Sequence, residues 1–268
     1  MNIETKRILI GCPISKEKDY CITDWIDHIM EMISNSKHRI GLVLAENGVS
    51  TSDRSIAEKH ILKRYPNFKD AAFIFTPTLK HQDVRLAIAR SWNSIVFECQ
   101  SPDWFFDNRP IDFHLSIECD VFPPVDSIDR LVEHHEIQMK NQPLDEPICV
   151  GYPYMVYLGE RSRPLYQTAN FNSGSIEVLT LPAFPSFMFT DGQLKPITGI
   201  GQGCILIPCS IYTDLEIRFR WETGSIYFPD AFFFIDLAAN GVPVLVDTSV
   251  ICEHRNQDWS AVQNNFTV

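Results

Sequence analysis

The chain has 268 residues, 45% of them hydrophobic, which is ample for one large domain and excludes a disordered tail. Its 23 basic and 34 acidic residues leave a net charge of −11 with no basic run, which argues against a nucleic-acid partner. No stretch approaches the roughly 18 apolar residues of a membrane span, and the N-terminus has no signal-peptide layout, so a cytoplasmic protein is expected.

In chain order, residues 6–11 read as a short apolar strand that Cys12-Pro13 ends, because proline cannot donate to a ladder. Ile22, Trp25, Ile26, Ile29, Met30 and Ile33 form the stripe of an amphipathic helix. A buried strand over 40–45 runs into a polar segment, Glu46 to Asp53, and a helix over about 53–65 follows with Ser52 as N-cap. Residues 71–75 form a third strand and 83–99 a third helix. This alternation requires crossovers and hence a parallel sheet covered by helices.

The second half is different. A strand over 113–117 ends at Glu118-Cys119-Asp120, and a short surface helix over 126–135 carries a solvated His134-His135 pair. Residues 151–185, rich in Tyr, Phe, Pro and Ser, predict short strands and long loops, a texture suited to a substrate-facing wall. The aromatics at 151–157 and 183–189 read as packing. The segment 197–208 is a glycine-spaced turn into an apolar strand, 230–240 is a helix stopped by Gly241, and 242–247 and 249–252 are closing strands. The eight cysteines lie in mostly apolar segments with no C-x-x-C pair, the pattern of reduced, buried thiols.

Ligands of open α/β sheets sit beyond the carboxyl ends of the strands, which directs attention to Cys12-Pro13, to 46–53, to Glu118-Cys119-Asp120 and to the segment ending at His254. In an extended backbone the two carboxylates of E-C-D point to one side, where they can share a divalent cation. Mg²⁺ and Mn²⁺ take oxygen ligands and complete their shell with substrate phosphates, and Mn²⁺ also accepts an imidazole. A solvated strand end is the plainer reading of E-x-D alone.

Residues 114–134 resemble, in their apolar strand, acidic pair, Pro-Pro and following helix, the metal-binding segment of GT-A glycosyltransferases of the family 2-like kind. The segments 42–53 and 228–254 resemble that family's strand with D-N-G-S-x-D and its helix, glycine, short strands and metal-binding histidine. The resemblance covers roughly residues 6–255. It implies an α/β GT-A fold, Rossmann-like, with a mostly parallel central sheet and a smaller mixed acceptor-side subregion. One domain spans 1–268, with a nucleotide-sugar half to about 125 and an acceptor half from 126.

It further implies a donor linked to UDP or GDP, a divalent cofactor, Mn²⁺ or Mg²⁺, and a glycan, glycolipid or glycoprotein acceptor. Asp120, Glu118 and His254 would hold the metal. Pro13, Glu46, Asp53, Arg90, Glu118 and Gly201 would line the nucleotide sugar, with Gly199 and Gly203 flanking Gly201 in the same turn. Asp230 would be the base that activates the acceptor hydroxyl. Glu118 stands where the family has Asp, Pro229 where it has Glu and Asp236 where it often has Arg, so inversion or retention stays open.

Plainer readings exist for each residue. Glu46 and Asp53 suit a turn and a helix cap, Arg90 a surface helix, His254 a strand histidine, and Asp230 a helix N-terminus that favours acids. Two other functions compete: a non-catalytic glycan- or partner-binding domain of this fold, and a sugar nucleotidyltransferase. The latter is disfavoured because residues 12–19, CPISKEKD, lack a glycine-rich turn.

Overall fold

The computed structural model describes residues 4–48, 55–77, 83–100, 109–141, 146–158, 161–165, 167–170, 177–180, 194–225 and 227–255. The first half comprises β1 (Arg7–Ser15), a 3₁₀ turn (Lys16–Lys18), α1 (Ile22–Asn35), β2 (Arg39–Gly48), α2 (Ile56–Arg64), β3 (Ala71–Pro77), α3 (Val84–Gln100) and β4 (Phe113–Ile117). Then come β5 (Val121–Phe122), α4 (Ser127–Asn141), β6 (Cys149–Gly151), β7 (Tyr154–Leu158), β8 (Arg161–Leu165), β9 (Gln167–Asn170) and β10 (Glu177–Thr180). The chain continues through β11 (Leu194–Ile197), β12 (Cys204–Pro208), α5 (Ser210–Thr213), α6 (Pro229–Ala239), β13 (Val244–Asp247) and β14 (Glu253–His254).

Eight strands form one sheet in the order β11-β13-β6-β12-β4-β1-β2-β3, so both halves of the chain share it. The pairs β1·β2, β1·β4, β2·β3 and β6·β13 are parallel, as the βα alternation predicts. β12 lies antiparallel between β4 and β6, and β11 antiparallel to β13. The predicted region of short strands contributes the small pairs β7·β8 and β9·β10, while residues 183–189 lie outside the described residues.

Side-chain alternation along the strands builds two cores. Ile8, Ile10, Cys12 and Ile14 pack with α1, α2 and α4, where Trp25, Ile26 and Ile29 are fully buried. Leu9, Val43 and Ala45 face the other way, toward α3, α5 and α6, with Trp92, Ile95, Phe233 and Leu237. Each such large apolar side chain contributes roughly 1.5–3 kcal/mol by leaving water.

Several boundaries differ from expectation for definable reasons. β1 runs through Pro13, which pairs with Ala45. The Lys6 carbonyl accepts from Arg39 and that of Arg7 from Asp112, so odd-numbered residues of β1 face β4. The β4 pairing ends at Gly11, so the missing N–H of Pro13 costs no ladder bond. β2 likewise extends through Glu46, which pairs with Phe75, so the predicted polar loop begins later. The cap of α2 is Ser55, whose hydroxyl accepts from the Glu58 N–H at 3.1 Å, and not Ser52. The second closing strand is displaced: Asp247 accepts from the Ser249 N–H and hydroxyl at 2.8 and 2.6 Å in a turn, Cys252 makes a single bridge to Tyr154, and pairing resumes only at β14. His135 is buried against Phe113 instead of solvated, since α4 continues to Asn141 and its inner face reaches that position.

Candidate active site

All five residues of β4 are buried, and the strand ends at Ile117 because Val121 N–H folds back onto the Glu118 carbonyl at 2.9 Å. Glu118 and Asp120 therefore converge through a tight turn, which replaces the extended pleat expected for E-C-D. On one side the turn is held by the residues just before β12, where Glu118 N–H reaches the Gly203 carbonyl and the Ser116 hydroxyl reaches that of Gln202 at 2.7 Å. On the other side β14 pairs with β5, His254 opposite Val121, and Arg255 N–H donates to the Asp120 carbonyl at 2.8 Å.

These backbone ties bring three side chains together. One ligand atom each from Glu118, Asp120 and His254 lies within 4.8 Å of the others. His254 Nε2 stands 3.2 Å from Asp120 Oδ2, with both residues buried. The Tyr154 ring packs edge-on to His254 at 5.2 Å and lies under the glycine turn. A Cβ at Gly203 would meet that ring at 2.3 Å, and one at Gly201 would meet its hydroxyl at 2.5 Å. Gly201 also has φ +72°, so the turn needs glycine on both counts.

The electrostatics are those of crowded carboxylates. Burial, reinforced by the Asp120 charge, pushes Glu118 up to about 7, against the opposing pull of His254. Burial also opposes ionisation of Asp120, but its hydrogen bond to His254 and the Lys18 charge outweigh it and hold Asp120 below its usual value. Lys18, directly after β1, donates from Nζ to Asp120 Oδ2. Two carboxylates and an imidazole with too little positive charge between them fit a hard divalent cation such as Mn²⁺ or Mg²⁺.

Asp230 is the second residue of α6, after Pro229 at the first position. Its Oδ1 accepts from the Ala231 N–H at 2.8 Å, yet burial raises its carboxyl. Its charge is felt at Glu118 and at Tyr154, which ties the start of α6 to the acidic turn. Further along α6, Asp236 accepts from Arg220 Nε and Nη2 at 2.9 and 3.1 Å.

The remaining predicted residues are spread along the strand ends. Pro13 and Glu46 lie near the carboxyl ends of β1 and β2, with Glu46 facing α2 and raised by burial. Asp53 lies outside the described residues. Arg90 is exposed on α3 and lines an open groove of about 530 Å³ with Thr76, Asn93, Phe97 and Glu98. None of Glu118, Asp120 and His254 lines that groove.

Sequence reasoning missed Lys18 and Tyr154. The strand-end rule already pointed at the segment after β1 and could have found Lys18. Tyr154 had no such signal, because only the folded chain brings the glycine turn onto its ring.

An open sheet of this order, with an acidic turn after β4 completed by a histidine from β14, is the GT-A glycosyltransferase fold. Among solved structures the chain is similar to S. aureus TarS 1–349, at 13% identity and a TM-score of 0.54, over 93% of this chain and 60% of that one. It is also similar to GalNAc-T7 with UDP, GalNAc and Mn²⁺, at 11% identity and 0.53, over 94% and 44%. A third is the mannosyltransferase PcManGT from Pyrobaculum calidifontis in complex with GDP-Man and Mn²⁺, at 10% and 0.57, over 97% and 60%. The chain thus spans 44 to 60% of the length of these structures. No family model matches the sequence, and no curated protein matches it. No helix among the described residues is long and apolar enough to cross a membrane.

Proposed function

We propose that the chain is a metal-dependent glycosyltransferase that moves a sugar from a UDP- or GDP-linked donor to a hydroxyl of a glycan, glycolipid or glycoprotein. The observation that carries this reading is the convergence of Glu118, Asp120 and His254 beyond the end of β4. Two of the structural neighbours hold Mn²⁺, one with UDP and GalNAc and the other with GDP-Man. A cation bound there would stabilise the charge that develops on the departing diphosphate.

The chain's own residues have separate tasks in this reading. Asp120 supplies the main ligand, His254 completes the coordination, and Glu118 lies on the metal shell or the ribose. Asp230, raised by burial, takes the acceptor proton as the hydroxyl attacks. The backbone at Gly201 borders the donor sugar, and Pro13, Glu46, Asp53 and Arg90 border the nucleotide.

The test is calorimetry and thermal shift with UDP, GDP, CMP and dTDP, each with and without Mn²⁺, since a ligand of the native state raises its apparent stability. Binding of one nucleotide only with Mn²⁺, lost in Asp120→Asn, is expected. No binding under any condition overturns the reading and leaves a non-catalytic domain of this fold. Pyrophosphate formed from a nucleoside triphosphate and a sugar phosphate would reveal a nucleotidyltransferase. Asp230→Asn is expected to keep donor binding and lose transfer, and full transfer by that variant would move the base elsewhere.

A further inference from the structure

Lys18 is the cation that Asp120 already has. Its ammonium binds Oδ2, the carboxylate oxygen that His254 Nε2 also faces at 3.2 Å. Burial disfavours the charged ammonium, yet the Asp120 charge and hydrogen bond more than offset that and hold Lys18 protonated. The backbone of the Lys18 turn is pinned on both flanks. The Cys21 N–H and thiol both donate to the Lys18 carbonyl, and the same thiol approaches the Cys119 carbonyl at 3.4 Å. The Tyr20 hydroxyl donates to the Arg255 carbonyl at 2.9 Å, next to His254. The loop is thus fastened to both limbs of the acidic site, whereas the Lys18 side chain is about one-third exposed and swings on four methylenes.

An ammonium and a divalent ion cannot share one carboxylate oxygen without strong repulsion. We propose that Lys18 is an exchangeable internal cation that couples metal binding to nucleotide binding, an inference that rests on the function proposed above. Without nucleotide, Lys18 competes with the divalent ion for Asp120. When the ion arrives with a nucleoside diphosphate, the displaced ammonium turns to the diphosphate oxygens, whose negative charge takes the place of Asp120. Each ligand therefore strengthens the other, and by linkage the strengthening is equal in both directions. No covalent bond changes in this exchange.

The test measures Mn²⁺ affinity by calorimetry and electron paramagnetic resonance, with and without saturating UDP or GDP, in the wild type and in Lys18→Met, which keeps the stem and removes the charge. The wild type is expected to bind Mn²⁺ at least about tenfold more tightly with nucleotide than without, within the usual range of coupling. Lys18→Met is expected to bind Mn²⁺ alone about tenfold more tightly than the wild type, and to lose the part of the coupling that Lys18 supplies, keeping what direct contact between ion and diphosphate provides. Lys18→Arg, charged but bulkier, retains the full coupling. Should Lys18→Met fail to fold, Lys18→Gln is read in the same way. Unchanged Mn²⁺ affinity and unchanged coupling in the neutral variants overturn the inference. A wild type that binds neither UDP nor GDP with Mn²⁺ overturns the glycosyltransferase reading instead, so the two failures are distinct.

Discussion

At Glu118 burial and charge conflict. Its carboxyl is pushed up to about 7 by burial and by the Asp120 charge, far above an exposed glutamate. A carboxyl with a raised value stabilises the fold fully below its unfolded value of about 4.5 and loses that contribution as pH rises through about 7. The free protein is therefore penalised at neutral pH, and in the proposed reading a bound divalent cation would remove the penalty. Mn²⁺ with nucleotide is expected to raise the melting temperature more at pH 8 than at pH 6. Below pH 7 its binding should release protons, seen as a dependence of calorimetric heat on the ionisation enthalpy of the buffer. Equal shifts and buffer-independent heats at both pH values would mean that Glu118 is already ionised in the free protein.

At the scale of elements, the termini of two helices carry testable energies. Ser55 caps α2 with its hydroxyl, and Ser55→Ala is expected to cost about 1 kcal/mol in urea unfolding. α6 ends in a Schellman motif, with Val242 N–H on the Leu237 carbonyl at 3.0 Å and Gly241 N–H on that of Ala238 at 3.1 Å. Gly241 has φ +73° and no atom within 4 Å of an added Cβ, so Gly241→Ala should cost about 1–2 kcal/mol through backbone strain alone. Gly241→Asn should recover part of that loss, and a larger cost than this would point to a steric clash.

The same elements show what could be read from the sequence. The stripe of α1 and the five-residue β4 were legible because periodicity and an uninterrupted apolar run are local. The passage of β1 through Pro13 was not, because it depends on the β1·β4 pairing ending at Gly11. The acidic trio was legible as residues, through its resemblance to a family, but its geometry was not. The carboxylates meet through a turn fixed by β12 and β14, and those partners are set by tertiary structure. Lys18 was visible only as one lysine in a polar loop.

Over the whole molecule, buried histidines contribute to the response to acid. Burial lowers His114, in β4, to about 3, and lowers His135, in α4, to about 4. Each stabilises the fold fully above its unfolded value of about 6.5, and that contribution is lost as pH falls through the window down to the folded value. Among the described residues His135 has no hydrogen-bond partner at either ring nitrogen, and it faces Phe113, with Lys6 and Glu136 nearby. His135→Leu is expected to preserve about 2 kcal/mol of the stability that the wild type loses between pH 7 and pH 4.5, read from urea midpoints. Parallel losses in the two proteins would assign acid sensitivity to other groups.

The two-residue strand β14 has a consequence for biosynthesis. Half the length of the chain separates Asp120 from His254. A ribosome releases β1 to β5, with both carboxylates, long before the imidazole that completes the trio. Until β14 pairs with β5, a nascent chain offers an ion two acidic groups and no histidine, so in the proposed reading affinity for the metal would mature only once β14 has docked.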